Sequence, residues 1–185
     1  MTSHIRVIST VAFGSCDGSS GSPVTVVLSS GDLDLSLMRQ IADTYACETT
    51  FASLPSATDG TWKLRFFLRG REMSMCVRGT IGAFAAVAKY EQHVLEHVQV
   101  STGVGVLSVN WKRKAAGVIV CVDQLAPTFG PPVDDPMPLL RAIEAPDGSL
   151  DSVVGPVQTV SVARAKVMIP TADLSALGTT LGWGR

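Results

Sequence analysis

Two short stretches carry the residues whose types and spacing could do chemistry. The first is CETTF, residues 47 to 51, where Glu48 stands between Cys47 and two threonines at the head of an apolar segment. The second is MCVRGTIGA, residues 75 to 83, which sets Cys76, Arg78 and Gly79 directly before an apolar, alanine-rich run. A carboxylate in a water-poor cleft can give and take a proton within one bound geometry. A guanidinium can hold a substrate carboxylate through two parallel N–H bonds. A thiol beside a cation and a helix start is expected to ionise more readily than a free one. Gly79, Thr80, Ile81 and Gly82 open the apolar run. Unpaired backbone N–H groups there would attract an anion, and glycine admits close approach. Together the stretches read as two halves of a small proton-transfer site.

Each residue also has a plainer reading. Glu48 can be a solvated charge at an element boundary. Thr80 can be a simple helix cap and Gly82 a packing contact. Cys76 can be one more buried free thiol, and Cys121, inside the strand-like VIVCVD, reads as core. HVLEH, residues 93 to 97, matches a zinc-binding pattern letter for letter. It falls where a helix should end and no third ligand stands out, so no metal is expected.

The elements that must position these residues follow from periodicity. HIRVISTVAF and VTVVLSS read as strands, separated by a glycine- and serine-rich loop. Residues 33 to 46 show helical spacing of Leu37, Ile41 and Ala42, with Asp34 or Ser36 as N-cap. ETTFASLP is a strand leaving that helix. WKLRFFLRG is another, with Trp62, Leu64, Phe66 and Leu68 on one face. From Thr80 a helix apolar on all sides is expected, which implies burial. Residues 103 to 132 read as a hairpin turning near Lys114 to Gly117, and APTFGPPVDDPMP reads as a proline-rich connection. PVQTVSVARAKVMIP adds strand, and TADLSALGTTL starts a helix.

Composition narrows the class. The chain has 185 residues, 46% hydrophobic and 17% charged, with net charge −1. That is ample material for a core. It offers no basic surplus for a phosphate backbone, so no nucleic-acid partner is expected. No run of about 18 apolar residues indicates a membrane span. MTSHIRVIST reads as a first strand rather than a signal peptide. Cys16, Cys47, Cys76 and Cys121 form no CxxC pair, and free thiols fit a cytoplasmic protein.

The order of motifs resembles that of the phenazine-biosynthesis PhzF-like isomerases and epimerases. GSPVTVVL is similar to the family's G-N-P-x-x-V-V-L. LMRQIADTYACETTF resembles its M-Q-x-I-A-x-E-x-N-x-S-E-T-x-F. KLRFFLRGREMSMCVRGTIGAFAAV resembles its L-R-x-F-T-P-x-x-E-x-x-F-A-G-H-P-T-x-G-A, and STGVGVLSVNWKR, VCVDQLAPTFGP and VQTVSVARAKVMIPTADLSAL resemble later segments. The sequence departs from the pattern at Ser22 (family asparagine), Val77 (glycine), Arg78 (histidine) and Gly79 (proline). MC-x-x-G is also similar to the M-C-G-[NH]-G of cofactor-independent amino-acid racemases, in which the cysteine is one of a catalytic thiol pair.

The resemblance implies an α+β, diaminopimelate-epimerase-like fold: a curved, mostly antiparallel sheet around a central buried helix. It implies a first lobe over residues 1–112 and the opening part of a second over 113–185. It makes Glu48 the acid/base, with Cys76 a second catalytic candidate, and places Ser22, Arg78 and Gly79 to Gly82 on the substrate. The expected activity is a cofactor-independent proton shift on a small acidic metabolite, amino-acid-like or cyclic, in secondary-metabolite biosynthesis. A homodimer partner or complementary chain would complete the cleft. The alternative is a non-catalytic lobe that binds a metabolite or stabilises a partner.

Overall fold

A computed structural model describes residues 4–14, 20–55, 60–91 and 94–172. The chain divides into two compact units, Met1–Gln124 and Leu125–Arg185. The break falls twelve residues after the 112/113 boundary drawn from sequence. The reason is strand pairing, described below, which keeps residues 117–122 in the first sheet.

In the first unit, β1 (Ile5–Ala12) pairs antiparallel with β2 (Ser22–Ser29). Helix α1 (Leu35–Thr44) follows, capped by Asp34, whose carboxylate accepts from the Ser36 and Leu37 N–H groups. Strand β3 (Thr49–Ser53) then runs parallel to β2, with Thr25 opposite Thr49. A parallel pair needs a crossover, and α1 supplies it. The consequence for function is direct: β2 and β3 begin at the same end of the sheet, so Ser22 and Glu48 lie at that end.

Strand β4 (Trp62–Leu68) returns antiparallel to β3 and turns into β5 (Arg71–Met73). Arg69 and Gly70, with φ of 47° and 70°, make the two-residue left-handed turn that matches strand twist. Arg65 forks onto Glu72 across this hairpin, Nε to Oε1 and Nη2 to Oε2, both at 2.6 Å. That pairing holds the Glu72 carboxyl below the usual carboxylate range. Its contribution to stability is present at neutral pH and lost as pH falls through the depressed value.

The hairpin delivers the chain to α2 (Val77–Tyr90), then β6 (His97–Thr102), β7 (Gly105–Lys114) and β8 (Gly117–Val122). Among the described residues the strand order is β1-β2-β3-β4-β6-β7-β8, with β5 added to β4. Helix α2 touches β1, β2 and β3 at one end of this order and β7 and β8 at the other, so the sheet curls round it. This is the expected α+β arrangement.

Burial explains the curl. Helix α2 buries Ala83, Phe84, Ala86, Val87 and Ala88 against Val24, Trp62, Leu64, Phe66, Val100 and Trp111. Helix α1 covers the other face, packing Met38 and Ala42 on Val27, Phe51 and Phe67. Strand β3 lies between the helices and is buried on both faces. Leu68, expected on the inner face of β4, is instead 38% exposed, while its neighbour Phe67 is buried under α1. Leu68 shares the parity of Phe66 but ends the strand beside the hairpin turn, and Phe67 points to a second apolar face.

The C-terminal end of α2 is closed by Arg113. Its Nε donates to the Ala88 carbonyl at 2.7 Å and its Nη2 to the Glu91 carbonyl at 2.9 Å. A cation on the last carbonyls of a helix is favourable. Arg113→Ala is expected to destabilise the chain by about 0.5–1 kcal/mol, read as a lower urea midpoint at unchanged m-value. An unchanged midpoint would remove this role.

In the second unit β9 (Thr128–Pro132), β10 (Gln158–Ser161) and β11 (Ala165–Met168) form an antiparallel sheet in the order β11-β10-β9. Helix α3 (Met137–Ala142) buries Leu140. The proline-rich stretch read as a connection thus holds a strand and a helix. Pro131 and Pro132 sit on an edge strand and Pro138 in the first helical turn, the positions where a missing N–H does least harm. The helix expected at TADLSALGTTL lies outside the described residues from 173 onward.

Candidate active site

The two stretches singled out in the sequence meet at the end of the sheet where β2 and β3 begin. Glu48 directly precedes β3, and its carbonyl accepts the Thr25 N–H at 3.0 Å, which fixes its backbone to β2. Its carboxylate receives three donors on one oxygen. Arg78 Nε lies 2.6 Å from Oε2, Arg78 Nη2 also reaches Oε2, and Cys76 Sγ lies 3.2 Å from it. Arg78 Nη1 donates to Ser22 Oγ. The Glu48 side chain is 15% exposed and that of Arg78 34%, so the carboxylate sits beneath the guanidinium. Hydrogen bonding to Glu48 raises the Arg78 pKa further.

Helix α2 starts at Val77, three residues earlier than its periodicity predicts, and Cys76 is its N-cap. The Gly79 N–H donates to Cys76 Sγ at 3.2 Å. Sulfur does here what a serine or aspartate oxygen usually does, and capping rules therefore do not point to it. Thr80, the cap expected from sequence, donates its hydroxyl back to the Cys76 carbonyl at 3.0 Å.

The thiol also behaves contrary to expectation. Burial pushes Cys76 up to about 11, the Glu48 carboxylate adding to the rise and the Gly79 N–H opposing it. At neutral pH it is a protonated donor to Glu48, not a thiolate. Because the fold holds this proton more tightly than the unfolded chain, the stability it contributes is lost as pH rises from about 9 toward 11. Cys121, read as core, is exposed on β8, where Val118, Val120 and Val122 take the inward positions. Iodoacetamide at about pH 8 is expected to label Cys121 well before Cys76; peptide mass spectrometry showing equal rates would contradict the protonated, half-buried thiol.

Gly79 and Gly82 face the sheet rather than solvent. A Cβ on Gly79 would lie 2.3 Å from Thr50 Oγ1 and 2.9 Å from Phe66 Cδ1, and one on Gly82 3.1 Å from Val24 Cγ1. Both glycines and Thr80 are buried, and Ile81 is half-buried. Their geometry is that of close helix–sheet packing, and the cationic side chain at this helix start is the partly exposed Arg78. Sequence reasoning missed Thr50, two residues past Glu48 on the same side of the chain. Its buried hydroxyl has no hydrogen-bond partner among the described residues and lies against Gly79. Strand alternation from Glu48 was the signal that could have found it.

HVLEH forms no zinc helix among the described residues. His93 lies outside them, and His97 opens β6 with Nδ1 2.7 Å from Asn110 Oδ1. No helix among the described residues is long and apolar enough to cross a membrane.

A curled sheet around a buried helix is the fold of solved PhzF-family and epimerase-like proteins. The structure is similar to a phenazine biosynthesis protein of the PhzF family from Bacillus anthracis, with TM-score 0.77 and 24% identity over 97% of this chain and 60% of that one. It is also similar to a predicted epimerase from Pseudomonas aeruginosa, with TM-score 0.81 and 18% identity over 96% of this chain and 62% of that one. In sequence it is 30% identical over 146 residues to the uncharacterised isomerase YfhB of Bacillus subtilis (strain 168), covering 77% of this chain and 48% of that protein. The family of phenazine biosynthesis-like proteins, PhzC-PhzF, matches residues 12–180. The chain belongs to that family. It spans about half the length of the curated relative and about three fifths of the solved structures.

Proposed function

We propose that the chain is an isomerase or epimerase that moves a proton on a small carboxylate-bearing metabolite without a cofactor, with Glu48 as acid/base. The observation that carries this reading is the placement of Glu48. It is a half-buried carboxylate at the start of β3, within bonding distance of Cys76 and Arg78 at the start of α2, in a chain of the PhzC-PhzF family. Arg78 and Ser22 bind the substrate carboxylate. Cys76, as a protonated thiol, orients Glu48 rather than exchanging protons itself. The relatives' names, isomerase and epimerase, support the reaction class.

We further propose that this chain works with a partner, a second copy or a complementary polypeptide, in the cytoplasm. Ile5, Val7 and Val11 are 42–50% exposed along one side of β1, an edge strand among the described residues, and Phe13 just beyond it is 66% exposed. Such a row favours association. Sedimentation at micromolar concentration should show a species heavier than 19.5 kDa; a folded, active monomer would contradict it.

The second reading, a metabolite-binding lobe without turnover, is favoured by the ion pair that occupies Glu48 in this state. One experiment separates the two. A panel of small amino acids and cyclic carboxylic acids is incubated with the protein in deuterated water, and mass gain is recorded. The proposed function predicts that at least one acid gains deuterium at carbon far faster than in buffer. Binding of panel members with no gain would establish the second reading.

A further inference from the structure

In this state the site is closed on itself. Arg78 places Nε and Nη2 on Glu48 Oε2 and Nη1 on Ser22 Oγ. A guanidinium offers two edges for bidentate capture of a carboxylate, Nε with Nη2 and Nη1 with Nη2. Each edge here has a donor engaged. Glu48 is constrained in the same way. A carboxylate oxygen has two in-plane lone pairs, and Oε2 already meets three donors, counting the Cys76 thiol. It has no lone pair left to accept a hydrogen from carbon. While the pair holds, the Nε–Nη2 edge of Arg78 cannot take a substrate carboxylate and Oε2 cannot take a proton; Oε1 carries none of these bonds.

We propose that Arg78 is a latch on Glu48 operated by the substrate's own carboxylate. The incoming carboxylate takes the Nε and Nη2 donors of Arg78, and Oε2 is released to accept the hydrogen. One carboxylate replaces another on the same cation, so the exchange uncovers no positive charge. The guanidinium is the more exposed partner, 34% against 15%, so the newcomer reaches Arg78 first. Cys76 stays bonded to Glu48 and keeps it aimed. In the step that follows, a substrate C–H bond breaks and an O–H bond forms on Glu48. The electron pair remains with the substrate until the proton is returned. A neutral analogue, lacking the carboxylate, leaves Oε2 held by Arg78. Arg78 therefore sets substrate class through release of the base as well as through binding.

This rests on the acid/base reading of Glu48, but its test does not read turnover. The probe is acetate, with acetamide as its neutral counterpart. In the full chain the Arg78 Nε–H resonance, assigned by its loss in Arg78→Lys, is expected to move saturably with acetate and not with acetamide. Removing the internal competitor should tighten binding: Glu48→Gln is expected to bind acetate about three- to tenfold more strongly, as for a partly exposed pair. A general loss of negative charge would do the same through space. The discriminating arm is therefore Glu48→Gln placed in an Arg78→Gln background, where the latch predicts no gain. An Arg78 signal unmoved by acetate would overturn the latch. So would Glu48→Gln binding no tighter than the original, or a gain that persists without Arg78. Failure of isotope exchange bears on the acid/base role alone.

Discussion

Phe84→Ala is expected to destabilise the first unit by about 3–5 kcal/mol, a large part of the roughly 5–15 kcal/mol that holds a domain together. Phe84 sits mid-helix in α2 with no solvent exposure, its ring edge-on to Trp62 at 5.6 Å between centroids. The cost falls toward the upper end because the space cannot close. The positions one turn away on α2 are Thr80, Ile81, Val87 and Ala88, of which Thr80, Val87 and Ala88 are themselves buried. Val87 and Ile81 are β-branched and stiff at χ1, so neither swings readily into the gap, and the transfer cost and the cavity cost both remain. Urea unfolding followed by tryptophan fluorescence reads the effect. Leu37→Ala, at a site 37% exposed on α1, is the control expected to change little. A loss below about 1 kcal/mol for Phe84→Ala would mean that α2 is not the centre of the core.

Much of this fold could be read from the chain because its signals are local. The strands β1, β2 and β3, the capped helix α1 and the turn between Lys114 and Gly117 follow from alternation, an Asp34 cap and a glycine. What could not be read depended on tertiary partners. Leu68 and Cys121 read as inward residues, but Leu68 ends β4 at a hairpin and Cys121 alternates with the inward valines of β8. Prolines at Pro131, Pro132 and Pro138 looked like breaks because sequence does not reveal an edge strand or a first turn.

The site divides along the same line. Glu48, Cys76, Arg78 and Ser22 were all singled out, and the structure brings them within bonding distance of one another. Their states were not legible. The Cys76 thiol was expected to ionise readily beside a cation, but burial dominates and raises it. Arg78 was expected to be open to substrate, but it is bonded to the base. Both outcomes depend on distances across some thirty residues of chain, which no local pattern encodes.

Glu48→Gln is expected to lower proton exchange between substrate carbon and solvent by about 10²–10⁴-fold, the usual worth of a positioned acid/base. Glutamine keeps the shape of the side chain but has no site that can take a proton from carbon at neutral pH. The Ser22 contact to Arg78 and the packing of α2 on β3 do not depend on that charge, so the fold is expected to survive. Loss of exchange with retained or tightened acetate binding then isolates the chemistry from the binding. The measurement that tests the account most directly is deuterium incorporation into the panel member labelled by the unaltered chain, compared with Glu48→Gln under the same conditions. The account predicts rapid incorporation by the first and a rate near that of buffer for the second. Equal incorporation by both would contradict Glu48 as the acid/base.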